Sequence, residues 1–264
     1  KAGHCGTLDP MATGVLPIML GGATRFLEFL PDSTKRYTAV MRLGIKTDTL
    51  DITGQVLSTC DVNVGFDEVA AVAENYKGNI MQVPPMYSAL NKDGVKLYKL
   101  ARQGIEVERE ARPVTIFSLE VSQSDNENEY VLDMECSSGT YVRTLIDDIG
   151  NDLGCGATMV ALRRTMGAGF MVEKAVTLEE LESAEDPTQY LISVEEAMNA
   201  YPRAFVSDGQ AHRFINGGGL NLDRIGDCKV NGLYRVYCGD QFLGIGRAVL
   251  EKNTLEFCRV FQDR

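Results

Sequence analysis

From Lys35 to Ile45 the sequence KRYTAVMRLGI sets Tyr37, Ala39, Met41 and Leu43 against Thr38, Val40 and Arg42. Strict alternation is the period of a strand with one face buried and one face wet, and such a strand needs strand neighbours and an apolar layer over it. The segments that supply these follow. Phe66, Val69, Ala70, Ala73 and Tyr76 recur at helical spacing before Gly78. Val114–Ser122 and Tyr130–Cys136 read as two strands joined by the polar turn Asp125–Glu129, a hairpin. Leu145, Ile146, Ile149 and Leu153 return to helical spacing, with Ser138 as candidate cap and Gly154 past the end. The pattern predicts a fold of the α/β (α+β) class, a mixed, mainly antiparallel sheet with flanking helices, over residues 1–200. Residues 201–264 change to short strands, Leu233–Cys238, Phe242–Ala248 and Leu255–Phe261, around turns such as Asn216–Gly219, which predicts a small β-rich module. Between them, Thr177 with Glu180 and Ser193 with Glu196 fit capping boxes of two short acidic helices.

The chemistry concentrates in KAGHCGTLDPMATGVLP, Lys1 to Pro17. Gly3, Gly6 and Gly14 free the backbone for positive φ or close approach, and Asp9-Pro10 reads as a helix cap with proline in the first turn, predicting a helix over 10–16. Asp9 is then either a cap or a carboxylate held at the mouth of a loop; position alone leaves both open. In Thr47–Gly54, TDTLDITG, Asp48 and Asp51 read as solvated turn formers, since a metal site needs further oxygen ligands at fixed spacing. Arg143, at the start of a helix where the macrodipole disfavours a cation, is expected to serve a nearby carboxylate.

Bulk composition narrows the class. Seven scattered cysteines without a C-x-x-C pair, and His4 and His212 as the only histidines, predict neither a zinc site nor a disulfide framework. No apolar run reaches a membrane span and no signal-peptide pattern opens the chain, so a cytoplasmic protein without membrane contact is expected. The net charge of −11 argues against a nucleic-acid partner, but residues 175–199 hold seven of the 37 acids and none of the 26 bases. By contrast, residues 83–112 carry six bases against four acids, with Tyr87 and Tyr98 interleaved, a composition that suits phosphates and unstacked bases as well as it suits a solvated face.

The stretch GHCGTLDPMATGVLPI, Gly3 to Ile18, resembles the signature loop of the TruB family of tRNA pseudouridine synthases, with Cys5 where that family usually has threonine. The resemblance implies that Asp9 is the catalytic nucleophile and that His4 inserts into RNA beside a flipped nucleotide. The KRY motif ending at Tyr37 is similar to the family motif whose tyrosine stacks on the target base and is implicated in removing its C5 proton. GTYVRTLIDDIG resembles a second family signature, which implies that Arg143 pairs with the aspartate and Tyr141 lines the base pocket. In ATMVALRRT, Leu162 stands where the family has an apolar residue against the bound base.

Pro84–Arg102 resembles the family's PPxYSAxKxxGxxxYxxAR stretch, with Asn91 in place of lysine, and Arg109, Arg112 and Val114 continue it. This implies a thumb-like insertion over 83–112 that grips an RNA stem-loop, with Lys96, Lys99 and Arg102 as RNA-binding residues. The stretches FING and FLGIGRA make residues 201–264 similar to the family's PUA-type RNA-binding domain. Family members have a strand and a helix before the signature loop, so a chain opening at Lys1 is expected to be a shortened form. Taken together, the resemblance implies a sheet of pseudouridine-synthase type and the isomerisation of uridine to pseudouridine at position 55 in the T loop of tRNA. It implies no cofactor and no metal. The expected partner is the tRNA T-arm stem-loop, handled by a standalone bacterial-type monomer without an obligatory protein partner. The alternative is a non-catalytic tRNA-binding and folding chaperone using the same surface; a carbohydrate hydrolase pairing Asp9 with Asp48 or Asp51 is a further one.

Overall fold

A computed structural model describes residues 1–31 and 33–261. The chain divides into two compact units, residues 7–16 with 33–175, and residues 1–6 and 17–32 with 176–264.

The first unit is built on one sheet. Its strands are β1 (Thr13–Gly14), β2 (Lys35–Leu43), β3 (Gly78–Gln82), β4 (Arg112–Gln123), β5 (Glu129–Cys136), β6 (Ala157–Gly167) and β7 (Phe170–Met171). The order is β7-β6-β2-β5-β4-β3, antiparallel throughout, with β1 pairing in parallel along β6. The alternation of β2 resolves as expected: Tyr37, Ala39, Met41 and Leu43 are buried. Arg36, Thr38 and Arg42 on the other face stand directly opposite Glu135, Asp133 and Glu129 of β5 and bond to them. Opposite-charge pairs across a ladder each contribute a few tenths of a kcal/mol to about 1 kcal/mol, and here they also pin the register.

Helices α1 (Phe66–Glu74) and α2 (Val142–Asp152) carry the two helical patterns seen in the sequence. Through α2, Leu145, Ile146 and Ile149 are fully buried in one cluster with Met41, Leu132, Met159 and Val69. Each such side chain contributes about 1.5–3 kcal/mol. Gly154 closes α2 at φ +76°, as expected.

Two local expectations fail. Ser138 does not cap α2; the cap position is Tyr141, whose N–H donates to Gln82 Oε1 at 2.8 Å while Gln82 Nε2 returns a bond to Tyr141 O at 3.1 Å. A side chain from β3 thus satisfies the helix start. Nor is there a helix over 10–16. Asp9 opens a single turn, Ala12 N–H to Asp9 O, and the chain then runs along β6, with Val15 N–H donating to Arg164 O. Gly14 at φ +107° makes that possible, since a Cβ there would lie 2.1 Å from Arg164 O. Backbone pairing with β6 displaces the helix.

The second unit holds the strands β8 (Arg203–Phe205), β9 (Leu220–Asn221), β10 (Gly232–Cys238), β11 (Gln241–Val249) and β12 (Thr254–Val260), ordered β8-β10-β11-β12-β9, with helix α3 (Asp208–Ile215). The boundary between units falls at Val176, not at 201. The reason is packing: Phe26, Phe29, Val194 and Met198 share one buried cluster with Tyr237, Phe242 and Ile245 of the C-terminal sheet. Of the two acidic helices, Leu178–Ser183 has the full Thr177–Glu180 box, while Val194–Ala197 has the Ser193 half of its own. No described helix is long and apolar enough to cross a membrane.

One charge on α2 opposes the fold. Asp148 is half-buried, and burial first, then the neighbouring Asp147 and Asp152, push its carboxyl up to about 6. A carboxyl raised in the native state binds its proton more tightly there than when unfolded, so stability falls as pH rises from about 4 through about 6. Asp148→Asn is therefore expected to stabilise the chain by about 1–3 kcal/mol at pH 8 and by little at pH 4. Urea midpoints at the two pH values measure it.

Candidate active site

The loop after Gly6 delivers Asp9 to the N-terminus of α2. Arg143, one residue into that helix, meets it side-on: Nε donates to Asp9 Oδ2 at 2.9 Å and Nη2 to Asp9 Oδ1 at 3.0 Å. Such a fork fixes both oxygens of the carboxylate in orientation as well as in charge. Arg143 is itself held, with Nη1 donating to Thr49 O and Nη2 to Tyr87 O, each at 2.9 Å. Its side chain is only 5% exposed, against 30% for Asp9, so the arginine is the buried member and the aspartate faces outward.

A second carboxylate completes the group. Asp51 Oδ2 lies 3.7 Å from Arg143 Nη1. Asp51 is buried, and its Oδ1 accepts from Thr49 Oγ1, Thr53 Oγ1 and Thr53 N–H. This corrects the reading of Asp51 as a solvated turn former. Asp48 in the same turn is exposed and accepts from Gln55 N–H at 2.8 Å, as a turn former should. The two differ because the turn docks on β6, Ile52 N–H donating to Met159 O and Met159 N–H to Leu50 O, which carries Asp51 inward. The spacing T-D-T-L-D-I-T was the available signal, since it flanks Asp51 with the two threonines that hold it.

Tyr37 and Leu162 lie on the same face of the sheet, for Leu162 pairs with Ala39 and Arg164 with Tyr37. Both are buried in the cluster that Met11 and Ala12 pack against. Burial pushes the Tyr37 phenol up to about 12, with Cys136 and the Asp9 charge adding and the Arg164 guanidinium opposing. Tyr141, two residues before Arg143, has its phenol raised by burial, while the Arg112 and Arg143 charges oppose and that of Asp9 adds. Asp9, Arg143, Tyr37, Tyr141 and Leu162 all belong to one compact unit. His4 belongs to the other, in the strand Ala2–His4 paired with Ile18–Leu20, its Nδ1–H donating to Gly6 O.

The basic segment forms a small hairpin, Asn91–Lys92 with Val95–Lys96, and a short helix, Leu97–Ala101. Lys99 and Arg102 are exposed, with the Arg102 guanidinium 5.4 Å from the Tyr98 ring centroid. Lys96 is half-buried, and its ammonium donates to Ala89 O at 2.8 Å. Among the described residues no three His, Cys, Asp or Glu side chains converge as a metal would require.

The model of the TruB family pseudouridylate synthase N-terminal domain matches residues 1–142, and that of the tRNA pseudouridylate synthase B C-terminal domain matches residues 143–199. The chain belongs to the TruB family. Curated relatives of this TruB chain include tRNA pseudouridine synthase B of Clostridium novyi, 43% identical over 93% of this chain and 85% of that one. That of Pseudomonas putida strain GB-1 is 45% identical over 93% of this chain and 82% of that one. Among solved structures, the TruB chain is similar to one in a crystal structure of a Cbf5-Nop10-Gar1 complex, with a TM-score of 0.72 and 27% identity over 99% of this chain and 77% of that one. Another, in a structure of an H/ACA RNP bound to a substrate RNA containing 2'-deoxyuridine, gives a TM-score of 0.70 at 25% identity over 100% of this chain and 77% of that one. The family match spans both signature motifs and so covers Asp9, Tyr37 and Arg143.

Proposed function

We propose that this chain isomerises uridine to pseudouridine in tRNA, at position 55 of the T loop, with Asp9 as nucleophile acting on a flipped-out base. The observation that carries the reading is the fork of Arg143 on Asp9, an outward-facing carboxylate pinned by a buried cation, in a chain whose relatives bear the name tRNA pseudouridine synthase B.

The reaction breaks the bond from N1 to C1′, turns the uracil while it is trapped, joins C5 to C1′ and removes the C5 proton. A carboxylate suits either electrophile on offer, C1′ of the ribose as in retaining glycosidases or C6 of the base. Neither is reachable in a stacked loop, so the nucleotide is everted at a cost of a few kcal/mol. Tyr37 and Leu162 then hold the uracil between them, Tyr141 closes the wall and His4 fills the gap in the RNA. Once the Tyr37 phenol has given up its own proton to solvent, loss of the C5 proton to the resulting phenolate returns the C–H electron pair to the ring and restores conjugation.

Lys99, Arg102 and Lys96 are read as phosphate contacts of a thumb over 83–112, and the C-terminal sheet as a PUA-like RNA-binding domain. Replacing the three bases by alanine is expected to weaken stem-loop binding and to flatten the plot of log affinity against log salt by about 2. An unchanged slope counts against the thumb. The direct test of the function is incubation with a T-arm stem-loop labelled with tritium at C5 of the target uridine: label enters water as pseudouridine forms. No release at enzyme concentrations that saturate binding would leave the folding-chaperone reading in its place.

A further inference from the structure

One buried cation is left over by that chemistry. Arg164 follows Leu162 by two residues on β6, is fully buried and has no carboxylate partner among the described residues. Its Nε donates to Val15 O at 2.8 Å and its Nη1 to Thr7 O at 3.3 Å, so one guanidinium holds both ends of the loop that carries Asp9. Across the ladder it stands directly opposite Tyr37, and its positive charge opposes the rise that burial imposes on the phenol. Its Nη2 is buried and makes no hydrogen bond among the described residues. Burying a guanidinium against two carbonyls is costly, and a buried N–H left unpaired adds about 1–3 kcal/mol, so an apolar side chain would serve a purely structural role better.

We propose that Arg164 is a positioning residue for the reaction, coupling the loop of Asp9 to the phenol of Tyr37 so that nucleophile and proton acceptor move as one body. The inference rests on the proposed function and deepens it. The charged group fixes the two backbone carbonyls that set where Asp9 stands, and its positive charge beside Tyr37 favours the phenolate, the form of that oxygen that can take a proton. The other titratable groups acting on Tyr37 are Asp9 from the loop and Cys136 from β5, and the half-buried Lys35, two residues before it on β2, stands opposite Cys136. Of these, Arg164 alone also touches the loop.

The experiment uses the whole chain with tyrosine labelled at 13Cζ, the Tyr37 signal being assigned by its absence in Tyr37→Phe. In Arg164→Met the Tyr37 phenolate fraction at a given alkaline pH falls about tenfold, and in Arg164→Lys by less. The single-turnover rate on saturating stem-loop falls about 100-fold in Arg164→Met, the scale of a 1 Å misplacement, while stem-loop affinity stays within about threefold. A wild-type rate in either variant overturns the proposal, and so does a slower rate with the Tyr37 signal unmoved, which marks a general loosening. If Arg164→Met does not fold, Arg164→Lys decides by the same two readouts. The 15N guanidinium signal of Arg164 in the unaltered chain, compared with Tyr37→Phe, supplies an independent one: no response means no coupling. The tyrosine signal is read without RNA. An unaltered chain that forms no pseudouridine thus defeats the proposed function, whereas an active chain indifferent to Arg164 defeats this inference alone.

Discussion

Asp9→Asn is expected to bind the T-arm stem-loop as tightly as the unaltered chain and to release C5 label at less than about one ten-thousandth of its rate. The amide has the shape of the carboxylate and retains an oxygen for the Arg143 fork, so the loop stays where Thr7 and Val15 hold it. What is lost is the anionic lone pair. Four decades correspond to about 5.5 kcal/mol of barrier, more than misplacement alone provides. Filter binding and tritium release on the same preparation separate the two effects. Unchanged conversion would falsify the nucleophile assignment; loss of binding and turnover together would point to the loop having collapsed.

The larger structural effect is expected at Arg143. Arg143→Met removes a 5%-exposed cation from between two carboxylates, leaving the buried Asp51 with only hydroxyl and N–H donors. Breaking a buried pair in this way costs about 3–5 kcal/mol, which is a large fraction of the total stability of a domain. Urea denaturation should show it, and adding Asp51→Asn should recover part of the loss, because the stranded charge goes with it. Arg143→Lys separates fold from function. An ammonium keeps the charge but cannot donate at once to both Asp9 oxygens, Thr49 O and Tyr87 O, so stability should return further than turnover. Equal stability in Arg143→Met and the unaltered chain would mean that the fork contributes nothing to the fold.

Much of this was legible in the order of residues. The period-2 and period-3.6 runs placed β2, β4, β5, α1 and α2, because each of those elements buries one face in a common core and the burden of burial writes itself into local spacing. Arg143 at a helix start was legible for a related reason, as a charge set against the helix dipole that needs a compensating partner. The Lys1–Pro17 stretch was legible as a glycine-rich loop carrying Asp9, while its residues 10–16 were misread as a helix. Its proline and cap chemistry are local signals, whereas the competing backbone bonds come from Arg164, far along the chain.

The line between the two kinds of knowledge runs through a single turn. Residue order alone determined which chemistry the chain possesses: an aspartate in a glycine-rich loop, an arginine needing an anion, a tyrosine on a buried strand face. It could not distinguish Asp48 from Asp51, two like carboxylates in one polar turn, nor mark Arg164 as more than a base on a strand. Those roles depend on groups distant in sequence, as Arg143 and Asp9 are 134 residues apart. Only the folded sheet brings them within a hydrogen bond, and burial then decides which charge is solvated and which is paired.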